Sequence, residues 1–300
     1  MTPPHTDTDN PMRGILLMLG AFITFSCMDT LAKLLGTMGY QAVFITWGRL
    51  VAQVFMLVPL VLFMGGTKAL RTRHPKFQLL RGIGMLGAGV FFVSGLHYLP
   101  LATMTSINFV GPFIVTLMSV IFLKEHVGRN RWIAILIGFA GALVIIRPGT
   151  EGFHVAGLFA VAAATCWSVG MITTRLVQPE DSTLTTLVLT ALVGLVGASL
   201  LVPLFWKPLT LEALIYIVGM GIGGTLGQFF MIQALRYAGP SVLAPFAYSQ
   251  IIWATLLGYA LWGEFPDGWT WVGAAIIVSC GLYVWYRERR AAAPRLKKPV

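Results

Sequence analysis

Long, nearly uncharged apolar runs alternate with short polar turns along the whole chain. The runs fall at residues 14–35, 42–64, 79–97, 101–122, 132–147, 155–174, 183–204, 213–235, 241–262 and 269–286. Several approach the length a helix needs to cross ~30 Å of hydrocarbon, where every backbone N–H and C=O must be satisfied within the chain. Only 11% of the residues are charged and the mean hydropathy is +0.80, against about 25% charged residues in a soluble domain. The shortage is continuous, which excludes a soluble domain on one membrane anchor. A β-barrel fits poorly, because its strands are short and alternate in polarity. The expected fold is an all-α polytopic membrane protein with ten transmembrane helices.

The net charge of +10 needs no nucleic acid to explain it, because the basic residues sit between the runs and in the C-terminal tail. Ten helices put both termini on one side. That side carries 17 of the 21 Lys and Arg residues, leaving Lys33, Arg49, Arg147 and Lys207 for the outer half or outer side. Positive charge is retained on the cytoplasmic face, so both termini are expected there. Cys27, Cys166 and Cys280 each lie inside a run, and no His/Cys/Asp/Glu grouping has metal-ligand spacing. No metal, cofactor or catalytic motif is expected.

The region from Leu96 and the region from Leu235 match at one constant offset, which pairs Tyr98 with Tyr237, Thr116 with Thr255, Glu125 with Glu264 and Trp132 with Trp271. A slightly longer offset pairs Phe25 with Trp167, Ser26 with Ser168 and Lys33 with Arg175, and sets Asp29 against Met171. Five spans per half is an odd number, so the second copy enters the membrane from the opposite side. Inverted-topology repeats supply two alternative packings around a central site, the physical basis of alternating access. The expected organisation is a flexible N-terminal tail over 1–12, five-helix repeats over 13–148 and 155–286, and a basic cytoplasmic tail over 287–300.

With these landmarks, and with FSCMDTLAK and FITWGRL in the first two runs, the chain resembles an EamA-type permease of the drug/metabolite transporter superfamily. The resemblance covers residues 13–286. It implies a bacterial inner-membrane transporter for a small organic solute, often an exporter, with both termini cytoplasmic. It does not imply one substrate.

Intramembrane charges are expensive and need partners. Asp29 and Lys33 stand four residues apart and share a helix face. Asp29, the deeper of the two, takes Lys33, Arg49 or both as its partner. Arg49 either attracts a carboxylate-bearing solute or is a structural partner of Asp29. Asp29 is also the candidate for proton coupling. Asn108, Gln228, Tyr248 and Gln250 are neutral candidates for the solute pocket, with helix–helix hydrogen bonding as their alternative role; His97 and Ser249 belong to the same set. Trp167 and Trp253 lie within runs and can stack on a planar solute. Pro112 removes the donor for the Asn108 carbonyl, and Pro245 interrupts the ninth run. Glu125 and Glu264, at matching turns, are expected to cap or gate the two repeats.

The function expected is secondary transport of a small organic metabolite by alternating access, with export as the implied direction. The expected partners are the solute, membrane lipid and, for coupling, a proton; homodimerisation is left open. An integral-membrane enzyme or a receptor without transport activity is the alternative.

Overall fold

Apolar segments that cannot hand their backbone polar groups to water form helices, and the structure, a computed structural model, is all-helical over the residues it describes: 11–64, 71–124, 128–148, 155–177, 181–238 and 240–292. The helices are α1 (Pro11–Thr37), α2 (Ala42–Met64), α3 (Pro75–Leu96), α4 (Leu101–Asn108), α5 (Gly111–Leu123), α6 (Arg129–Ile146), α7 (Gly157–Val177), α8 (Thr183–Leu201), α9 (Leu211–Tyr237), α10 (Pro240–Leu243), α11 (Ser249–Trp262) and α12 (Gly268–Ala292). Local chemistry sets several ends. Ser182 Oγ accepts from the Thr185 N–H at 3.0 Å to start α8, and Thr210 Oγ1 accepts from the Ala213 N–H at 3.2 Å to start α9. Gly263, at φ 66°, closes α11 in the left-handed conformation that glycine adopts without penalty.

Among the described residues, eight helices are long and apolar enough to cross a membrane, and Trp132–Ile146 is a shorter apolar helix. Two of the runs read from the sequence are broken in the structure. The run at 241–262 is broken into α10, a 3-10 turn over Ala244–Tyr248, and α11. Pro245 lies in that turn, where it supplies no N–H. The run at 101–122 breaks at Phe109–Val110, between α4 and α5. At the C-terminus, α12 continues through Ala292, into the stretch expected as a tail.

Packing between the halves is symmetric. α1 lies along α9 as α3 lies along α7, and exchanging the halves converts one pair into the other. The α5–α7 and α3–α8 contacts are answered in the same way by α11–α1 and α2–α9, while α6–α12 and α2–α8 map onto themselves. One core joins Leu35, Phe44 and Ile45 to Leu101, Met104 and Ile107 and to Ala254 and Ile277. Small residues permit the closest approaches: a Cβ on Gly141 of α6 would lie 3.0 Å from the Gly273 carbonyl of α12. The glycines beginning at Gly219 serve the same end, with Gly219 against Leu31 and Gly227 against Phe25.

Candidate functional site

The two broken segments face each other. Phe109, at the break between α4 and α5, meets Tyr248, at the break before α11, with ring centroids 5.0 Å apart. On either side of this contact, buried polar atoms have no hydrogen-bond partner: Thr105 Oγ1, Ser106 Oγ and Asn108 Oδ1 from the first half, and Ser249 Oγ and Trp253 Nε1 from the second. Buried polar groups are normally satisfied, and one left without a partner costs ~1–3 kcal/mol. Each of these atoms is still able to take a hydrogen bond. Pro112 adds another, since it has no N–H to give the Asn108 carbonyl.

The contacts flanking the breaks follow the repeat. Ser168 Oγ donates to the Gly111 carbonyl at 3.1 Å, and its counterpart Ser26 Oγ donates to the Gln250 carbonyl at 3.5 Å. Gly111 and Gln250 are themselves counterparts, at the same offset that pairs Tyr98 with Tyr237. Chemistry breaks the symmetry. Where the α5–α7 contact has Gly111 and Met171, the related α11–α1 contact has Gln250 and Asp29, and Gln250 Nε2 donates to Asp29 Oδ2 at 3.3 Å. Trp167 packs its ring on Gly111, where a Cβ would lie 3.1 Å from Cε3.

Asp29 and Lys33 are 8% and 7% exposed, and they do not pair with each other. Lys33 Nζ instead forms an ion pair with Glu264, donates to the Leu99 carbonyl at 3.3 Å and lies 4.9 Å from the centre of the Trp262 ring. The lysine stem extends toward the end of its own helix, so its head reaches the Glu264 turn while Asp29 stays one turn deeper. Arg49 acts electrostatically on Asp29, but among the described residues they form no ion pair within 4.0 Å. Its Nη2 lies where a Cβ on Gly89 would be 3.0 Å away. The expected Asp29–Lys33–Arg49 cluster is thus divided: Lys33 belongs to Glu264, and Asp29 and Arg49 remain as a separated acid and base.

Other candidates take different places. Tyr248 directs its hydroxyl at Gly281 of α12. Gln228 is half-buried on α9. His97 is structural, with its ring nitrogens 2.8 and 3.0 Å from the Val93 and Tyr40 carbonyls. Glu125 lies outside the described residues. Thr46, Thr105 and Trp262 were not legible as site residues, because a threonine or tryptophan in an apolar run carries no signal of where its polar atom ends up.

Polar contacts between the halves close both ends of the bundle. At the Glu264 end, Arg147 pairs with Asp267 at 2.6 Å, and Tyr40 donates its hydroxyl to the Pro208 carbonyl at 2.8 Å. A cavity of about 190 Å³ lies beside this pair, lined by residues that include Leu99, Thr103, Ile107, Arg147, Asp267 and Thr270. At the opposite end, Asp181 accepts from Thr72 Oγ1 at 2.5 Å, Gln78 Nε2 at 2.8 Å and the Arg73 N–H at 3.3 Å. Burial by itself would raise the Asp181 carboxyl. These hydrogen bonds and the nearby His74 outweigh that effect and hold it below its ordinary range. Asp267 is likewise held low: burial opposes, but the Thr270 hydrogen bonds and Arg147 prevail. Arg81 is buried beside Asp181's partners, donating from Nε to Thr174 Oγ1 at 2.7 Å, from Nη1 to the Thr186 carbonyl at 3.2 Å and also to Thr190. Among the described residues, no group of three or more His, Cys, Asp or Glu side chains is arranged to hold a metal ion.

Apolar helices in two exchange-related halves, with polar groups buried where broken segments meet, define a multi-pass helical membrane protein. The model of the EamA-like transporter family matches residues 12–147 and again 154–286, and the chain belongs to that family, whose members move small solutes across the inner membrane and are not enzymes. An S-adenosylmethionine uptake transporter of Rickettsia bellii is 27% identical over 283 residues, covering 94% of this chain and 97% of the relative. A riboflavin transporter of Rhizobium johnstonii is 30% identical, covering 78% of this chain and 76% of the relative. A riboflavin transporter of Vibrio cholerae is 27% identical over 90% of this chain and 91% of its own length. A solved crystal structure shares the fold, with a TM-score of 0.61 at 21% identity, covering 98% of this chain and 99% of the other.

Proposed function

We propose that the chain is a secondary transporter that carries a small organic solute across the inner membrane by alternating access between two inverted five-helix halves, residues 13–148 and 155–286. The carrying observation is the meeting of the two broken segments at Phe109 and Tyr248, with unpartnered polar atoms buried on both sides. The exchange symmetry of the helix contacts supports two equivalent packings. Under this reading the Asp181 end, where the basic loops gather, is cytoplasmic, together with both termini. Lys33–Glu264 then closes the outer side.

The relatives named for S-adenosylmethionine and riboflavin point to a shared solute chemistry, a planar nitrogen heterocycle bearing a hydroxylated sugar or sugar-derived chain. Phe109, Trp167, Tyr248 and Trp253 offer rings for the heterocycle, and Asn108, Ser249 and Gln228 offer groups for the hydroxyls. Export is the direction implied by the sequence resemblance, whereas the names of four relatives record uptake and favour inward movement here. Asp29 is the proposed coupling carboxylate.

Reconstitution into proteoliposomes tests this. Chain-dependent flux of a heterocyclic solute, in either direction and read with and without a pH gradient, is the expected result. Specific binding with no flux of any screened solute would make the protein a receptor and overturn the transport reading. Pocket substitutions such as Asn108→Ala and Trp253→Phe are expected to weaken flux without lowering the amount of folded protein.

A further inference from the structure

Charge is balanced at the Glu264 end, where Lys33 pairs with Glu264 and Arg147 with Asp267 across the two halves. Deeper in the bundle it is not balanced by contact. Asp29 is buried, 8% exposed, and among the described residues its side chain accepts one hydrogen bond, from the neutral Gln250. Arg49 has no hydrogen bond or ion pair among the described residues, and its Nη2 lies beside Gly89. Thr46, one helical turn before Arg49, is 1% exposed and has an unpartnered Oγ1. That oxygen faces the same notch, 3.7 Å from where a Cβ on Gly89 would be. Met171 and Gly111, the repeat counterparts of Asp29 and Gln250, are apolar, so the acid is a departure from the symmetric framework.

A buried acid and a half-buried base that act on each other without touching each bear a desolvation cost that neither repays. A ligand carrying one charge would leave the other uncompensated. A ligand carrying both, at a fixed short separation, would answer both. We propose that the solute carries a zwitterionic α-amino-acid group, with Asp29 and Gln250 holding its cationic end and Arg49 and Thr46 holding its carboxylate in the notch beside Gly89. The inference rests on the transport reading above and narrows it. Guanidinium and hydroxyl together suit a carboxylate, since Arg presents parallel N–H donors and threonine a third. An uncharged heterocycle would leave both charges unanswered, a mismatch that polar sites penalise heavily.

Binding to the full-length protein in detergent tests this apart from flux. S-adenosylhomocysteine and 5′-methylthioadenosine share an adenosine thioether, but only the first carries the amino-acid group. The expected result is at least about tenfold tighter binding of S-adenosylhomocysteine, with the preference lost in Arg49→Gln and in Asp29→Asn. Gly89→Ala leaves both charges in place but fills the notch, so it is expected to cut the preference several-fold while the protein still folds. Equal binding of the two compounds, or no binding of S-adenosylhomocysteine, overturns the zwitterion proposal. Flux of an uncharged solute in proteoliposomes, with no preference for S-adenosylhomocysteine in detergent, would leave transport standing while removing this refinement. Absence of all flux with the preference intact would do the reverse.

Discussion

Phe109 and Tyr248 occupy equivalent positions of the two halves, at the offset that also pairs Tyr98 with Tyr237, and their rings meet at 5.0 Å with a 44° tilt. Equivalent residues touch only where an axis relating the halves passes between them. The contact therefore places the helix breaks, and the unpartnered polar atoms around them, at the centre of the repeat. The serine contacts on either side obey the same axis, Ser168 to Gly111 and Ser26 to Gln250. Asp29 and Gln250 do not. A symmetric scaffold thus carries an asymmetric charge.

Tyr248 reaches Gly281 of α12, and its hydroxyl occupies the space that a side chain there would fill. Gly281→Ala is expected to destabilise the protein by about 1–3 kcal/mol, the usual cost of overpacking. Tyr248→Phe in the Gly281→Ala background should recover most of that loss, as read from thermal unfolding in detergent. A Gly281→Ala protein that melts with the wild type would show that the notch is empty.

Glu264→Gln removes the counter-charge of a lysine that is 7% exposed. Because Glu264 itself is 30% exposed, the expected cost is about 1–3 kcal/mol, below the ~3–5 kcal/mol for breaking a fully buried pair. Replacing both partners, Lys33→Met with Glu264→Gln, should bring stability back toward the wild type. A double-mutant cycle reads the coupling, and strictly additive losses would mean that the pair does not join the halves energetically.

Asp181 bears on pH. Its folded carboxyl is held below the ordinary 3.8, so its contribution is complete above the unfolded value and is lost as pH falls through the lower, folded one. The difference in melting temperature between the wild type and Asp181→Asn should therefore be constant from about pH 7 to about pH 5, and should close only below about pH 4. A difference that vanishes near neutral pH would rule out this contribution.

Much of this is legible without coordinates. The apolar runs have to become helices because hydrocarbon offers backbone groups no other partner, and pairs such as Tyr98 with Tyr237 and Ser26 with Ser168 mark the two matching halves. Asp29, Arg49, Tyr248 and Gln250 stand out because polar groups are costly in such runs. The partner of Lys33 does not follow from spacing. Four residues along a helix brings Asp29 within reach, yet the lysine turns to a carboxylate 231 residues away. The breaks at Phe109–Val110 and Ala244–Tyr248 stay hidden because proline marks a weak point without setting how the chain passes it.

Composition and spacing, which are properties of the chain alone, determined the membrane class, the repeat and the set of costly residues. Only tertiary packing decided which charge meets which, since that depends on where side chains from α1, α2, α3 and α11 converge. It left Asp29 beside Gln250 and Arg49 beside Gly89, close enough to act on each other but not in contact. That separation arises because Glu264 claims Lys33 at the end of the bundle, while the Gly89 notch gives the guanidinium of Arg49 somewhere else to lie.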